Sequence, residues 1–188
     1  MGICRKYTAD WKWNDSKKKE KEQMIDRIKA EALAVLIKII VLALIFWVLL
    51  FGAFGVYRID DYAMSPSCKD GDIIFFDRTK KDYQAGDLVV FSKEGETQIR
   101  RIVAVPGEQV EVTQEGLIID GYLQSEREII TETLPFENHV SYPLQLGAQE
   151  YFVLADKRDS AMDSRWYGSI NKEEIRGSVI LLFRRRGF

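Results

Sequence analysis

Residues Arg100–Glu108 read RRIVAVPGE. From Ile99 to Val105, β-branched residues surround two arginines, and Pro106-Gly107 closes the run. β-branched side chains pack well on a pleated surface, and Pro-Gly interrupts it, so the stretch predicts a strand that ends in a turn. Similar runs lie on both sides. Asp72–Phe76 (DIIFF) and Asp87–Phe91 (DLVVF) are each opened by a Gly-Asp step. Val110–Val112 and Leu117–Gly121 pattern as a hairpin, and Gln149–Leu154 and Val179–Phe183 complete the set. Helical periods are scarce here, apart from a turn expected near Lys172–Ile175. Short strands parted by Gly, Pro and Asp turns predict a mostly β domain.

The N-terminal part of the chain differs in kind. The apolar residues concentrate in Leu33–Tyr57, and no charge occurs from Ile39 to Tyr57. That is close to the ~20 apolar residues a helix needs to cross a bilayer. Lys38 sits where it can snorkel to headgroups, and Tyr57 fits an interfacial anchor, which the mid-segment Trp47 does not. A cleaved signal peptide would have a shorter apolar core and would not follow a long polar lead, so a retained anchor is expected. The expected organisation is a charged segment 1–32, a transmembrane helix 33–57 and a β domain 58–188, with Glu20–Ala34 extending the helix. Lys and Arg crowd the N-terminal side, including Lys17, Lys18, Lys19, Lys21, Arg27 and Lys29, whereas Arg58 and then Asp60 and Asp61 follow the span. The positive-inside rule then puts the N-terminus in the cytoplasm and the main domain outside the cell membrane. Cys4 and Cys68 fall on opposite sides, so no intrachain disulfide is expected.

Composition narrows the function. The 188 residues carry a formal net charge of -2, which argues against a nucleic-acid partner, because phosphate neutralisation needs clustered positive charge. His139 is the only histidine and lies in a polar loop, where it is expected to be solvated. One histidine and two separated cysteines make no zinc site. There is no nucleotide-binding glycine loop, and neither a metal nor a cofactor is expected.

Four local signals remain, in a fixed order. Ala63-Met64-Ser65-Pro66-Ser67 comes first, soon followed by Gly71-Asp72. Gly86-Asp87 opens the second, Arg100–Glu108 is the third, and Asp156–Arg165 with Gly168 is the fourth. Together, behind one apolar anchor, they resemble the bacterial type I signal peptidases, over residues 33–188. That family carries a Ser-Met-x-Pro box, a Gly-Asp box, a Lys-Arg-x-x-x-x-Pro-Gly-Asp box and an Asp-x-Arg...Ser-x-Asp-Ser-Arg box. The resemblance implies an antiparallel β-sheet domain on one N-terminal transmembrane helix. It also implies a serine nucleophile with a neutral lysine as general base, acting on a peptide held extended beside the protein's own strands.

The departures fall on the reactive positions. The nucleophile position is Ala63, the general-base position is Arg100, and the serine that supports the lysine is replaced by Ala161. Alanine has no nucleophilic atom, and arginine cannot be deprotonated in a protein. The retained motif residues are Met64, Ser65, Pro66, Arg101, Pro106, Gly107, Asp156, Arg158, Asp163, Ser164, Arg165 and Gly168. The resemblance implies that these shape the turn and line the cleft, with Asp163 and Arg165 as an ion pair. Loss of such a nucleophile costs about six orders of magnitude in turnover. The expected function is therefore a catalytically inactive, signal-peptidase-like protein. By analogy with pilus-cluster homologues of Gram-positive bacteria, its partner would be a secreted or pilin-type chain, with a sortase as a further partner. Arg100 is expected to point into the cleft and favour an acidic peptide. Three alternatives stand beside this reading. One is an active signal peptidase with a relocated dyad drawn from Ser65, Ser67, Lys69 and Lys157. Another is an engineered knockout, although three linked changes fit natural divergence better. The third is an anchored β domain without a ligand. The terminal run Arg184-Arg185-Arg186 is expected to be solvated.

Overall fold

The computed structural model describes residues 4–125, 129, 131–137, 139–159 and 161–184, with side chains from residue 17 onward. The chain divides into two units, Met1–Leu50 and Phe51–Phe188. The expected basic tail beyond Arg184 and the Cys4 thiol lie outside the described residues.

The first unit is helical. Helix α1 runs Cys4–Ala53, a stretch with no proline and no glycine before Gly52, so nothing interrupts it. From Lys17 to Ala53 it is long and apolar enough to cross a membrane, and it is the one such helix among the described residues. The apolar run does not stay helical to Tyr57. Phe54–Arg58 is strand β1, which corrects the expected boundary at 57: apolarity continues through these residues, but β-branched and aromatic side chains follow Gly52 and pair with a neighbouring strand. Gly55 is required in β1, because a Cβ there would lie 2.1 Å from the Phe76 ring.

The second unit is built from antiparallel sheets. Its remaining strands are β2 (Ile73–Asp77), β3 (Leu88–Lys93), β4 (Glu96–Ala104), β5 (Gln109–Thr113), β6 (Gly116–Ile119), β7 (Tyr122–Leu123), β8 (Leu144–Gln145), β9 (Glu150–Leu154), β10 (Ile170–Asn171) and β11 (Ile175–Phe183). The large sheet runs β1-β2-β11-β3-β4-β9-β10, and the small one β7-β6-β5-β8. The predicted hairpin is present as β5 and β6, paired Val110↔Ile119 through Thr113↔Gly116. The turn expected near Lys172 is a short 3-10 helix, Lys172–Glu174, capped by Asn171. One apolar core contains Ile59, Met64, Cys68, Ile74, Phe76, Val90 and Ile99. A second gathers Val89, Phe91, Ile102, Tyr151 and Val153, and a third lies between the two sheets around Val110, Phe152 and Leu154.

One detail of the large sheet positions the site. Strand β4 pairs with β3 along Glu96–Arg101. It meets β9 only at Arg101↔Leu154, Ile102↔Val153 and Ala104↔Phe152. The segment Glu96–Arg100 is therefore paired on one side and open on the other. Ile102 bonds Asp87 and Gly86 through its N–H and C=O. Because these groups alternate along an antiparallel strand, Thr97 and Ile99 turn theirs toward the open side.

Candidate functional site

The open side of β4 forms one wall of a cleft of about 680 Å³. Ala63, Arg100 and Ala161 all line it. The three altered positions, far apart in sequence, thus converge on one concave surface.

The Ala63 wall is a tight turn. Ser65 N–H donates to Tyr62 O at 3.1 Å and Cys68 N–H to Met64 O at 2.8 Å. Met64, fully buried, pins the turn to the core. Pro66 follows a cis peptide bond. The Ala63 N–H donates to Asp61 Oδ1 at 3.3 Å, and the Ala63 carbonyl accepts from Lys157 N–H at 2.8 Å. The first box is thereby tied to the fourth. What Ala63 presents to the cleft is a methyl group.

Arg100 also lines the cleft and is 4% exposed. Its Nε donates to Met162 O at 3.0 Å. Its Nη1 lies 3.2 Å from Asp61 Oδ2 and 2.6 Å from Ile99 O. The expectation that Arg100 makes the cleft attractive to acid is thereby revised. The guanidinium does reach the cleft, but its Nε and Nη1 already donate to this chain's own oxygens, and Asp60, Asp61 and Glu96 line the same cleft beside Lys157.

The other motif residues divide into two groups. Arg101 grips Asp156 through two parallel bonds of 2.8 and 2.7 Å, a geometry that suits the planar guanidinium. It also reaches Gly86 O at 3.0 Å and Ser67 Oγ at 3.3 Å. Arg158, Asp163, Ser164 and Arg165 are buried away from the cleft. The expected Asp163–Arg165 pair is present: Arg165 Nε donates to Asp163 Oδ1 at 3.0 Å and Nη2 to Oδ2 at 2.9 Å. Asp163 also caps helix α2 (Ser164–Tyr167) through the Arg165 N–H. Ser164 Oγ accepts the Val153 N–H at 3.0 Å. Arg158 bonds Ala155 O and, at 2.6 Å, Thr133 Oγ1. Ser164 and Asp163 thus tie the fourth box to the end of β9 and Ala155 just beyond it, and Arg158 and Arg165 tie it to Thr131, Thr133 and Leu134. Pro106, Gly107, Ser65, Ser67 and Lys69 do not line the cleft either. Gly107 sits at φ +91 in the turn after β4, a backbone region that glycine enters freely.

Sequence reasoning missed Asp61 and Tyr57. The signal for Asp61 was available: an arginine inside an apolar strand demands a carboxylate, and Asp60-Asp61 stands just before the turn that faces it. The Tyr57 hydroxyl lies 3.0 Å from Thr97 O and 3.1 Å from Asp60 Oδ1. Burial, then the Asp60 hydrogen bond, pushes its pKa up to about 12. His139 is exposed, as expected, and its ring stacks on Trp166 at 3.6 Å, outside the cleft. No serine lines the cleft among the described residues; Thr97 is its one aliphatic hydroxyl. Of the residues considered for a relocated dyad, Lys157 lines the cleft and Ser65, Ser67 and Lys69 do not.

Residues 30–183 match the family model for "Signal peptidase, peptidase S26". The chain belongs to the signal peptidase family. It is 28% identical to signal peptidase I P of Bacillus subtilis subsp. natto over 181 residues, covering 90% of this chain and 94% of that protein. It is 30% identical to signal peptidase IB of Staphylococcus aureus over 147 residues, covering 68% of this chain and 76% of that one. A crystal structure of a signal peptidase I from Enterococcus faecalis V583 aligns with 54% of this chain and all of its own at a TM-score of 0.45 and 26% identity. The antiparallel β domain behind one anchor helix agrees with the fold that the four boxes implied. In this member of the family the cleft holds the Ala63 methyl group and an Arg100 guanidinium bonded to Asp61, Met162 and Ile99.

Proposed function

We propose that this chain is a signal peptidase-like membrane protein that has lost proteolysis and holds an extended segment of a secreted partner in its cleft. The observation that carries this reading is the state of Arg100. A general base must have a lone pair within reach of the nucleophile. Arg100 has none, and its guanidinium is bonded to Asp61, Met162 and Ile99. Ala63 in the same cleft offers no side-chain group to deprotonate.

The cleft still has the depth and the strand edge that an extended peptide uses. Lysines and arginines in α1 ahead of its apolar span favour a cytoplasmic N-terminus, with the β domain outside. By analogy with inactive homologues in pilus clusters, the partner would be a pilin-type or other surface protein, and a sortase would act on the same assembly. The test is site-specific photocrosslinking in the native cell from a probe at Tyr62, which lines the cleft and is exposed. The expected result is a discrete adduct with a secreted or pilin-type protein. Its absence there, with a probe at the remote Tyr122 giving the same background, would overturn the reading.

A further inference from the structure

The Glu96–Arg100 segment of β4 lines the cleft and is paired along one side only. Along it, the outward carbonyls belong to Thr97 and Ile99. A peptide lying there as an added strand needs those acceptors, because main-chain hydrogen bonds supply most of the affinity of β-augmentation. In this chain both are covered from within. Arg100 Nη1 donates to Ile99 O at 2.6 Å, and the Tyr57 hydroxyl lies 3.0 Å from Thr97 O.

We propose that Arg100 and Tyr57 form an internal plug on the pairing edge of β4, so that an extended segment enters this cleft only by displacing their bonds to Ile99 O and Thr97 O. The two halves of the plug differ in strength. Arg100 is held at three points, by Asp61, Met162 O and Ile99 O. A charged donor bonded to several fixed oxygens is hard to dislodge. Tyr57 has one proton for two acceptors, Thr97 O and Asp60 Oδ1, so it releases Thr97 more readily. The arginine therefore does more than replace a general base: its side chain occupies the hydrogen-bonding position of the substrate backbone. A lysine at this position has a single terminal nitrogen and cannot span the same three acceptors.

The inference rests on the reading that the cleft receives an extended segment, and one experiment separates the two. The full-length protein in detergent micelles is titrated into a fluorescein-labelled, uncharged decapeptide of alanine, threonine and glycine, read by fluorescence polarisation. Tyr57→Phe removes one hydroxyl and keeps the ring. Arg100→Ala removes the guanidinium. The plug predicts that Tyr57→Phe tightens binding about threefold and Arg100→Ala at least tenfold, with the two effects adding in the double variant. If both variants bind as the parent does, or more weakly, the plug is wrong while the cleft reading stands. If neither parent nor variants bind the peptide, both fall. Should Arg100→Ala fail to fold, Tyr57→Phe alone decides, since it leaves every core contact of the ring in place.

Discussion

The carboxylate of Asp61 reaches Arg100 Nη1 at 3.2 Å through one oxygen. Through the other it accepts the Ala63 N–H at 3.3 Å. One acid thus bridges Ala63 and Arg100, the two positions that the motif order assigns to nucleophile and base. Its own side chain is 40% exposed, so it steers geometry more than it stabilises the fold; pairs with an exposed partner contribute little, about 0–1 kcal/mol.

This bridge makes reactivation harder than a simple reversal. A lysine introduced at position 100 would face Asp61, and an opposite charge nearby holds an amine in its protonated form. Ala63→Ser with Arg100→Lys is expected to cleave a signal-peptide substrate slowly at neutral pH. Adding Asp61→Asn keeps an acceptor for the residue-63 N–H and removes the charge. One pKa unit is a factor of ten in neutral lysine, so the triple variant should cut at least tenfold faster at pH 7.5, with its pH–rate rise beginning at lower pH. Equal rates in the double and triple variants would show that Asp61 does not govern the base.

Asp163 holds the fourth box together without touching the cleft. It is fully buried and accepts from Arg165 and from the Ala155 N–H. Asp163→Ala leaves the buried Arg165 guanidinium short of its counter-charge, a loss of about 3–5 kcal/mol. Thermal unfolding should show a large drop in midpoint or no folded protein. Ser164→Ala, which deletes one acceptor for Val153, should cost about 1 kcal/mol.

Gly177 is a tighter constraint than its neighbours. A Cβ there would lie 2.2 Å from the Asp77 carbonyl oxygen, a backbone atom that cannot rotate away. Gly177→Ala should force β11 off β2 and destabilise the domain by about 1–3 kcal/mol, as overpacking does. Denaturant midpoints of the two proteins check this; unchanged midpoints would contradict the register given for these strands.

Cys68 predicts the response to alkali. It is buried, and burial first, then Asp156 and Asp72, pushes its thiol up to about 11. In the unfolded chain the thiol titrates near its ordinary value of 9.0. Above that pH the unfolded state releases a proton that the folded state retains, so stability is fully present below about pH 9 and declines toward pH 11. Tyr57, raised to about 12, acts in the same direction at higher pH. Melting temperatures measured between pH 8 and 11 should fall, and Cys68→Ala should fall less steeply. Equal slopes would place the alkaline loss elsewhere.

Much of the fold was legible in the sequence because its strands are short, β-branched and bounded by Gly, Pro or Asp. The Asp72, Asp87, Ile99 and Gln149 runs match β2, β3, β4 and β9 to within a few residues. Strand β1 was hidden because Phe54–Tyr57 continues the apolarity of the helix, and hydropathy does not register the change of period. Residues 144–145 and 170–171 are too short to carry a pattern. The altered positions at 63, 100 and 161 were readable from motif order alone, and the structure brings them to one cleft. Tyr57 was not, because it meets Thr97 across 40 residues and no local spacing encodes that contact; for Asp61, the strand arginine called for a carboxylate, but not for this one 39 residues away.

The central claim is that the cleft no longer cuts. The full-length chain, purified in detergent, is incubated with a preprotein bearing small residues before its cut site, and the mature product is followed by mass spectrometry. The predicted result is an intact preprotein at equimolar enzyme over many hours, consistent with the loss of about six orders of magnitude that accompanies a missing nucleophile. Product accumulating beyond one equivalent, and surviving in the Ala63→Gly variant but not in Thr97→Ala or Lys157→Ala, would contradict it.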